Sequence, residues 1–370
     1  MWNDTPFYVK ATIKLFLLAL VVLAMVMARE FLIPFTISVF FTFLLLPVSG
    51  KLIQFRFPRS LAIIISILLA IAVFGALIYF LYTQVESFAE EMPALKKRLN
   101  EKWESIQQFI YREFNITKRA QSRWLDQKIE ETAQSGDTYA MGIFTATGTL
   151  LANVALIPIY IFFLTYYKEK FKEFVILVSK GSNHEKTLDI LRKISTISQK
   201  YLKGLMLDVL ILSVLNSTGF LLLDLDHAIL FGVIASILNI IPYVGVMIGS
   251  ILPITMALLT KDELGYAIGV AAVTQVVQFL DNNFITPYVV GSSVSINPFT
   301  AVLVLVIGAL IWGLPGMVLC MPLTGMVKVV CDNVDSLKPY GFIIGEETNF
   351  NERKSRHSKF LKRIKPKKYK

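Results

Sequence analysis

Pro242-Tyr-Val-Gly-Val-Met-Ile-Gly-Ser-Ile-Leu-Pro253 and Pro287-Tyr-Val-Val-Gly-Ser-Ser-Val-Ser-Ile-Asn-Pro298 are one phrase written twice. Each opens on Pro-Tyr-Val (with Tyr243 in the first copy), reaches a glycine three or four residues on (Gly245, Gly291), and closes on proline after eleven steps. Gly249 lies inside the first copy. Asn239 precedes one copy, and Asn282 and Asn283 precede the other. Proline removes a backbone donor and glycine relaxes the chain, so both phrases predict broken helices. The breaks fall in the most apolar part of the sequence, where an unpaired amide costs several kcal/mol. Such backbone survives at membrane depth where it lines a cavity or packs within protein. A matching pair of breaks points to a transporter's binding site.

The flanking chain fits that setting. The protein has 370 residues, 55% of them apolar and only 17% charged, with mean hydropathy +0.59. Apolar runs of spanning length recur, which predicts an all-α polytopic membrane protein with about eight membrane segments. The formal charge of +10 is confined to one place. Residues 353–370 carry ten Lys or Arg and no acid, and without them 27 bases face 27 acids. A basic tail after a membrane helix reads as cytosolic. It either docks on anionic lipid headgroups or is a solvated tail that fixes orientation. With only Phe360 and Tyr369 available to stack, no nucleic-acid partner is expected.

Taken in order, residues 1–82 read as N-terminal membrane helices. Thr12 to Ala28 reads as an uncleaved first span in preference to a signal peptide cleaved after Val26-Met-Ala28, because a second apolar run follows two residues later. Arg29-Glu30 is the turn into it. Lys51, Arg56 and Arg59 place the following loop in the cytosol, and Leu61 to Tyr82 spans outward. Residues 83–138 turn soluble in character, with Leu99, Trp103, Ile106, Ile110 and Phe114 at helical spacing, and read as an extracytoplasmic helical hairpin. Residues 139–203 hold a membrane helix and a basic cytosolic segment. Residues 204–332 form the transport unit, and 333–370 the cytosolic tail, so both termini are cytosolic. Gly313-Leu-Pro-Gly316 divides the last apolar run into legs of about 15 residues, roughly 22 Å each. These legs either re-enter or form tilted spans.

Ionisable groups inside a membrane are functional candidates. Asp281 adjoins Asn282 and Asn283 before the second break, and Gln275 and Gln278 continue its stripe along the helix. A carboxylate with amides and freed carbonyls is the oxygen-rich set that a sodium ion or polyol needs. The alternative is that Asp281 caps a helix at the interface. Asp208, about 7 Å into its span, either carries a coupling proton or sits hydrated or paired with a base at the wet edge. Asn216-Ser-Thr218 suggests interhelical hydrogen bonding. Asn239 and Asn297 converge on solute if the breaks face each other, or else satisfy local carbonyls. Pro242, Tyr243, Gly245, Gly249, Pro253, Pro287, Gly291 and Pro298 shape the breaks.

From Leu238 onward the chain resembles the autoinducer-2 exporter family. The phrases that carry the resemblance are Asn239-Ile-Ile-Pro-Tyr-Val-Gly245, Asp281-Asn-Asn-Phe-Ile-Thr-Pro287, Val290-Gly-Ser-Ser-Val294, and Gly308 through Gly316 with Met321-Pro322. The resemblance implies a secondary transporter in the bacterial inner membrane. Members are linked to export of the furanosyl signal autoinducer-2, and others to sodium or monovalent cation/proton antiport. It also implies a homo-oligomer and an elevator-like movement. Two departures stand out: Val246 replaces a common proline, and Ser295-Ile-Asn297 replaces a common Gly-Leu-His. The second removes an imidazole on which proton coupling could rest.

Other classes fare worse. The chain has no phosphate-binding loop of Gly-x4-Gly-Lys-Ser/Thr type. His184, His227 and His357 lack metal-ligand spacing. Ser292 and Ser293 offer a protease nucleophile, but only His227 lies near the bilayer to serve as base. No catalytic set, metal or cofactor is expected. A non-transporting scaffold is the remaining rival, and it has no need of twin breaks at membrane depth. Expected partners are a small polar solute, Na+ or H+, and the lipid bilayer.

Overall fold

The computed structural model describes residues 6–114, 155–179, 184–241, 244–289 and 296–346. They are helical almost throughout, and the protein is an all-α polytopic membrane protein. Six helices are long and apolar enough to cross a membrane, and four shorter apolar helices accompany them. The basic tail, the second half of the expected external hairpin, Pro242, Tyr243 and Gly291 lie outside the described residues, as do the side chains of Leu99, Trp103, Ile106, Ile110 and Phe114.

Two compact units are present, Met1–Phe171 with Leu202–Val290, and Lys172–Tyr201 with Gly291–Lys370. The first contains α1 (Phe7–Met27), α2 (Arg29–Gln54) and α3 (Arg59–Phe114). Helix α4 (Ala155–Tyr166) follows, and α5 (Lys168–Val178) begins in this unit. The turn predicted at Arg29-Glu30 falls one residue earlier, at Ala28. Two compositional boundaries are not structural ones. Helix α3 runs through Tyr82 for 56 residues, and α6 (His184–Leu222) runs through Lys203 for 39. Helical hydrogen bonding continues wherever no residue breaks it, whether the surroundings are lipid or water.

Beyond α6 come α7 (Ala228–Leu238), α8 (Val244–Thr260) and α9 (Leu264–Leu280). Helices α7 and α8 form an antiparallel hairpin, interrupted where the first phrase predicts. Its legs meet through glycine: a Cβ at Gly245 would lie 1.7 Å from the Leu238 carbonyl oxygen, and one at Gly249 would lie 2.9 Å from Ala235 Cα. Gly249 is therefore a packing residue, not a break. Pro253 likewise lies buried inside α8, so the expected break there is absent. The core uses Phe220 from α6, Phe231 from α7, Met256 from α8 and Val270 from α9. Leu95 of α3 joins it. Close by, Lys102 donates to the carbonyls of Leu258 (2.7 Å) and Lys261 (2.6 Å), and Arg98 to Thr260, satisfying orphan acceptors at the end of α8.

Helix α9 does not stop at Asp281. One π turn, Asp281–Ile285, leads into α10 (Thr286–Val289), so Pro287 continues the helix and does not break it. In the second unit, α11 (Pro298–Trp312) and α12 (Leu314–Asn333) pack as a hairpin about Gly313, whose φ of 64° suits glycine. Gly308 and Gly316 let the legs touch, since a Cβ on Gly316 would lie 1.9 Å from the Gly308 carbonyl oxygen. Helix α13 (Lys338–Ile344) closes this unit against α12.

Candidate functional site

Asp281 is 3% exposed and lies at the start of the π turn. That turn closes with the Thr286 N–H on the Asp281 carbonyl, and the extra residue brings the Thr286 hydroxyl to Asp281 Oδ1 at 2.7 Å. On Oδ2 the carboxylate accepts from Asn239 Nδ2 at 2.9 Å and from Gln278 Nε2 at 3.3 Å. Asn239 is the first residue past α7, so the hairpin tip is tied to α9 by one amide–carboxylate bond. A carboxylate holding three neutral donors is set up to exchange them for the hydroxyls of a solute.

Asp208 completes the interior cluster. It is 6% exposed, its carboxyl interacts with that of Asp281, and its Oδ1 has no hydrogen-bond partner. The ionisable neighbour acting on it is an acid, so the pairing with a base is not seen. Leu212 and Asn216 follow on the same face of α6, while Gln278 and Thr274 precede Asp281 on α9. Between these stripes and the α7–α8 hairpin lies a cavity of about 20 Å³, lined by Leu212, Asn216, Ala235, Asn239, Val246, Gly249, Ser250, Thr274, Val277 and Gln278. One water needs about 10–15 Å³ by this measure. The cavity has room for a water or a bare ion.

Asn216 makes the expected interhelical bond, donating to Ser236 Oγ at 3.2 Å, yet its own Oδ1 is left without a donor. Asn282 is exposed and accepts from Gln278. Asn283 is exposed and donates back to the Phe279 carbonyl. Neither amide reaches Asp281. Asn297 belongs to the second unit, where it is a structural clasp. It caps α11 by accepting from Thr300 N at 2.8 Å and donates to the carbonyls of Ile343, Ile344 and Gly345. Its amide thus satisfies local carbonyls, as that alternative expects. His227 faces Glu91 of α3 at 3.1 Å. No group of three or more His, Cys, Asp or Glu able to hold a metal occurs among the described residues.

Sequence reasoning missed Thr286, Thr274 and the pairing of Asp208 with Asp281. Thr286 sits five residues after Asp281, a spacing that no α-helical stripe brings together. The facing of α6 and α9 had a trace only in the glycines: Gly219 of α6 packs on Val273 of α9, and Gly269 of α9 on Leu223 just past α6.

Membrane-spanning helices, an interrupted hairpin and an interior carboxylate cluster beside a cavity define a membrane transport protein. The chain belongs to the AI-2E transporter family, whose model matches residues 15–336. It is 27% identical over 310 residues to YrrI of Bacillus subtilis (strain 168), a candidate transport protein by its name, covering 80% of this chain and 85% of that one. It is 24% identical over 331 residues to a similarly named protein of Haemophilus influenzae, covering 88% and 92%. It is 23% identical over 333 residues to the AI-2 transport protein TqsA of Escherichia coli (strain K12), covering 87% and 92%. The family is one of transporters, so this chain is a transport protein and not an enzyme.

Proposed function

We propose that the protein is a secondary transporter of the bacterial inner membrane that moves a small polar solute through the Asn239–Asp281–Gln278–Thr286 cluster, with autoinducer-2 the solute to test first. The observation that carries this is Asp281: a buried carboxylate held by neutral donors, one of them on the tip of the hairpin that lines the cavity. A polyhydroxyl solute supplies the same donors, so binding exchanges hydrogen bonds instead of stranding a charge. Asn239 must then leave Asp281, which links occupancy to movement of α7–α8. The name of TqsA supports autoinducer-2 as the probe. Both termini lie in the cytosol on this reading, with the basic tail against anionic headgroups, and the chain works as a homo-oligomer.

A monovalent cation is the second reading, favoured by the Asp208 carboxyl beside Asp281 and by a cavity sized for a bare ion. Flux in proteoliposomes of the full chain separates the two. Autoinducer-2 is loaded in one set, and sodium or proton gradients are imposed in another. Autoinducer-2 efflux above protein-free vesicles is expected. Gradient-driven cation exchange with no autoinducer-2 flux would replace the first reading by the second. A protein that moves neither would fit the scaffold.

A further inference from the structure

Two buried carboxyls, Asp208 and Asp281, interact in the interior, and among the described residues neither is paired with a base. The charged groups acting on Asp208 reduce to Asp281 alone. Around the pair, α6 contributes Leu212 and Asn216, α7 the neighbouring Asn239, α9 Thr274 and Gln278, and α10 Thr286, none of which titrates.

The two acids are not equivalent. Asp281 accepts on both oxygens, from Asn239, Gln278 and Thr286, which is the environment of an ionised carboxylate. Asp208 Oδ1 accepts from nothing. As a scale, two like unit charges about 4 Å apart repel by roughly 4 kcal/mol even at an effective dielectric near 20. Desolvation adds several kcal/mol for each ion. One compensating proton relieves this repulsion, and among the described residues Asp208, whose Oδ1 accepts from nothing, is the carboxyl with an oxygen free to carry it.

We propose that Asp208 holds a proton in the closed state, its O–H donating to the Asp281 carboxylate, and that loss of this proton accompanies opening of the α7–α8 hairpin. The inference rests on the transporter reading and assigns that site its coupling group. On release the Asp208 O–H bond breaks, the electron pair stays on oxygen, and the proton passes to water in the cavity, whose lining begins one turn along α6 at Leu212. The pair then carries two negative charges instead of one. The second charge is tolerated only with water around it, so deprotonation favours the open site and reprotonation the closed one. Asp208 is the proton carrier; Asp281 is the fixed acceptor that also meets solute.

Infrared spectroscopy on the full chain in lipid nanodiscs tests this without any transported solute, in sodium-free buffer at neutral pH. The expected result is a protonated-carboxyl C=O band that is lost in Asp208→Asn and retained, shifted in frequency, in Asp208→Glu. The second variant keeps the test valid should the first fold poorly. Adding sodium chloride at constant pH should leave the band in place. Its loss on adding sodium would make a metal cation the compensating charge and overturn the proton assignment. Absence of the band from the unmodified protein, or its loss in Asp281→Asn but not in Asp208→Asn, would also overturn it. Failure of autoinducer-2 flux would leave the band untouched, so the two proposals fail separately.

Discussion

Gly245→Ala is the smallest change that should disable the hairpin. Its Cβ would sit 1.7 Å from the Leu238 carbonyl oxygen and 2.9 Å from the Asn239 nitrogen. Reaching even a 3.0 Å contact requires the legs to part by about 1.3 Å. Overpacking of this kind costs about 1–3 kcal/mol. The movement falls on the residue pair that ends α7, and Asn239 has little slack, because its bond to Asp281 is 2.9 Å and a contact at about 3.6 Å no longer counts as a bond. Losing a hydrogen bond to a charged group costs about 1.5–3 kcal/mol. At about 1.4 kcal/mol per tenfold, transport at low solute should fall by about ten- to a hundredfold. Gly265→Ala on α9 is the control, since a Cβ there meets nothing within 4 Å. Replacing a helical glycine with alanine should even stabilise by about 0.5–1 kcal/mol. Melting temperature and autoinducer-2 flux are read on both variants. If Gly245→Ala melts and transports as Gly265→Ala does, the close hairpin contact is not what positions Asn239.

In the second unit, Asn297→Ala removes a helix cap worth about 1 kcal/mol and strands the carbonyls of Ile343 to Gly345. It should lower the melting temperature while leaving solute affinity unchanged, and a changed affinity with unchanged melting would restore Asn297 to the solute site. Gly316→Ala should destabilise more than Gly313→Ala does through contact, because only Gly316 abuts the Gly308 backbone. Gly313→Ala acts instead through its positive φ, and the two variants combined should show non-additive melting if the α11–α12 hairpin is one packing unit. Lys338 first, and then Lys186, hold the exposed Asp335 carboxyl below the usual carboxylate range. Its contribution is present at neutral pH and is lost as pH falls through that lowered value. Asp335→Asn should therefore melt slightly lower at neutral pH, with the gap closing in acid; a gap that widens in acid would reverse the assignment.

The sequence was most readable where a residue type has one physical use. Apolar length announced the spans, and Gly313 with Pro315 announced the last turn. Asn239 before its Pro-Gly phrase, with Asp281 before the other, located both partners of the central hydrogen bond. Legibility failed where function depends on which faces meet. Pro253 and Pro287 looked like breaks, but a proline costs a helix little when the freed carbonyl finds other partners within protein. Asn282 looked like a ligand because it adjoins Asp281, yet neighbours on a helix point about 100° apart. Asp208, counted from Lys203, gave no hint of Asp281, because a count along one helix does not say which helix it faces.

The most direct test of the account is a double-mutant cycle on flux, with Asn239→Ala, Asp281→Asn and the two combined, each checked for membrane expression. If the hairpin amide acts through the buried carboxylate, both single variants lose transport at normal expression, and the double variant is no worse than Asp281→Asn alone. Losses that simply add, or an Asp281→Asn protein that transports normally, would contradict it.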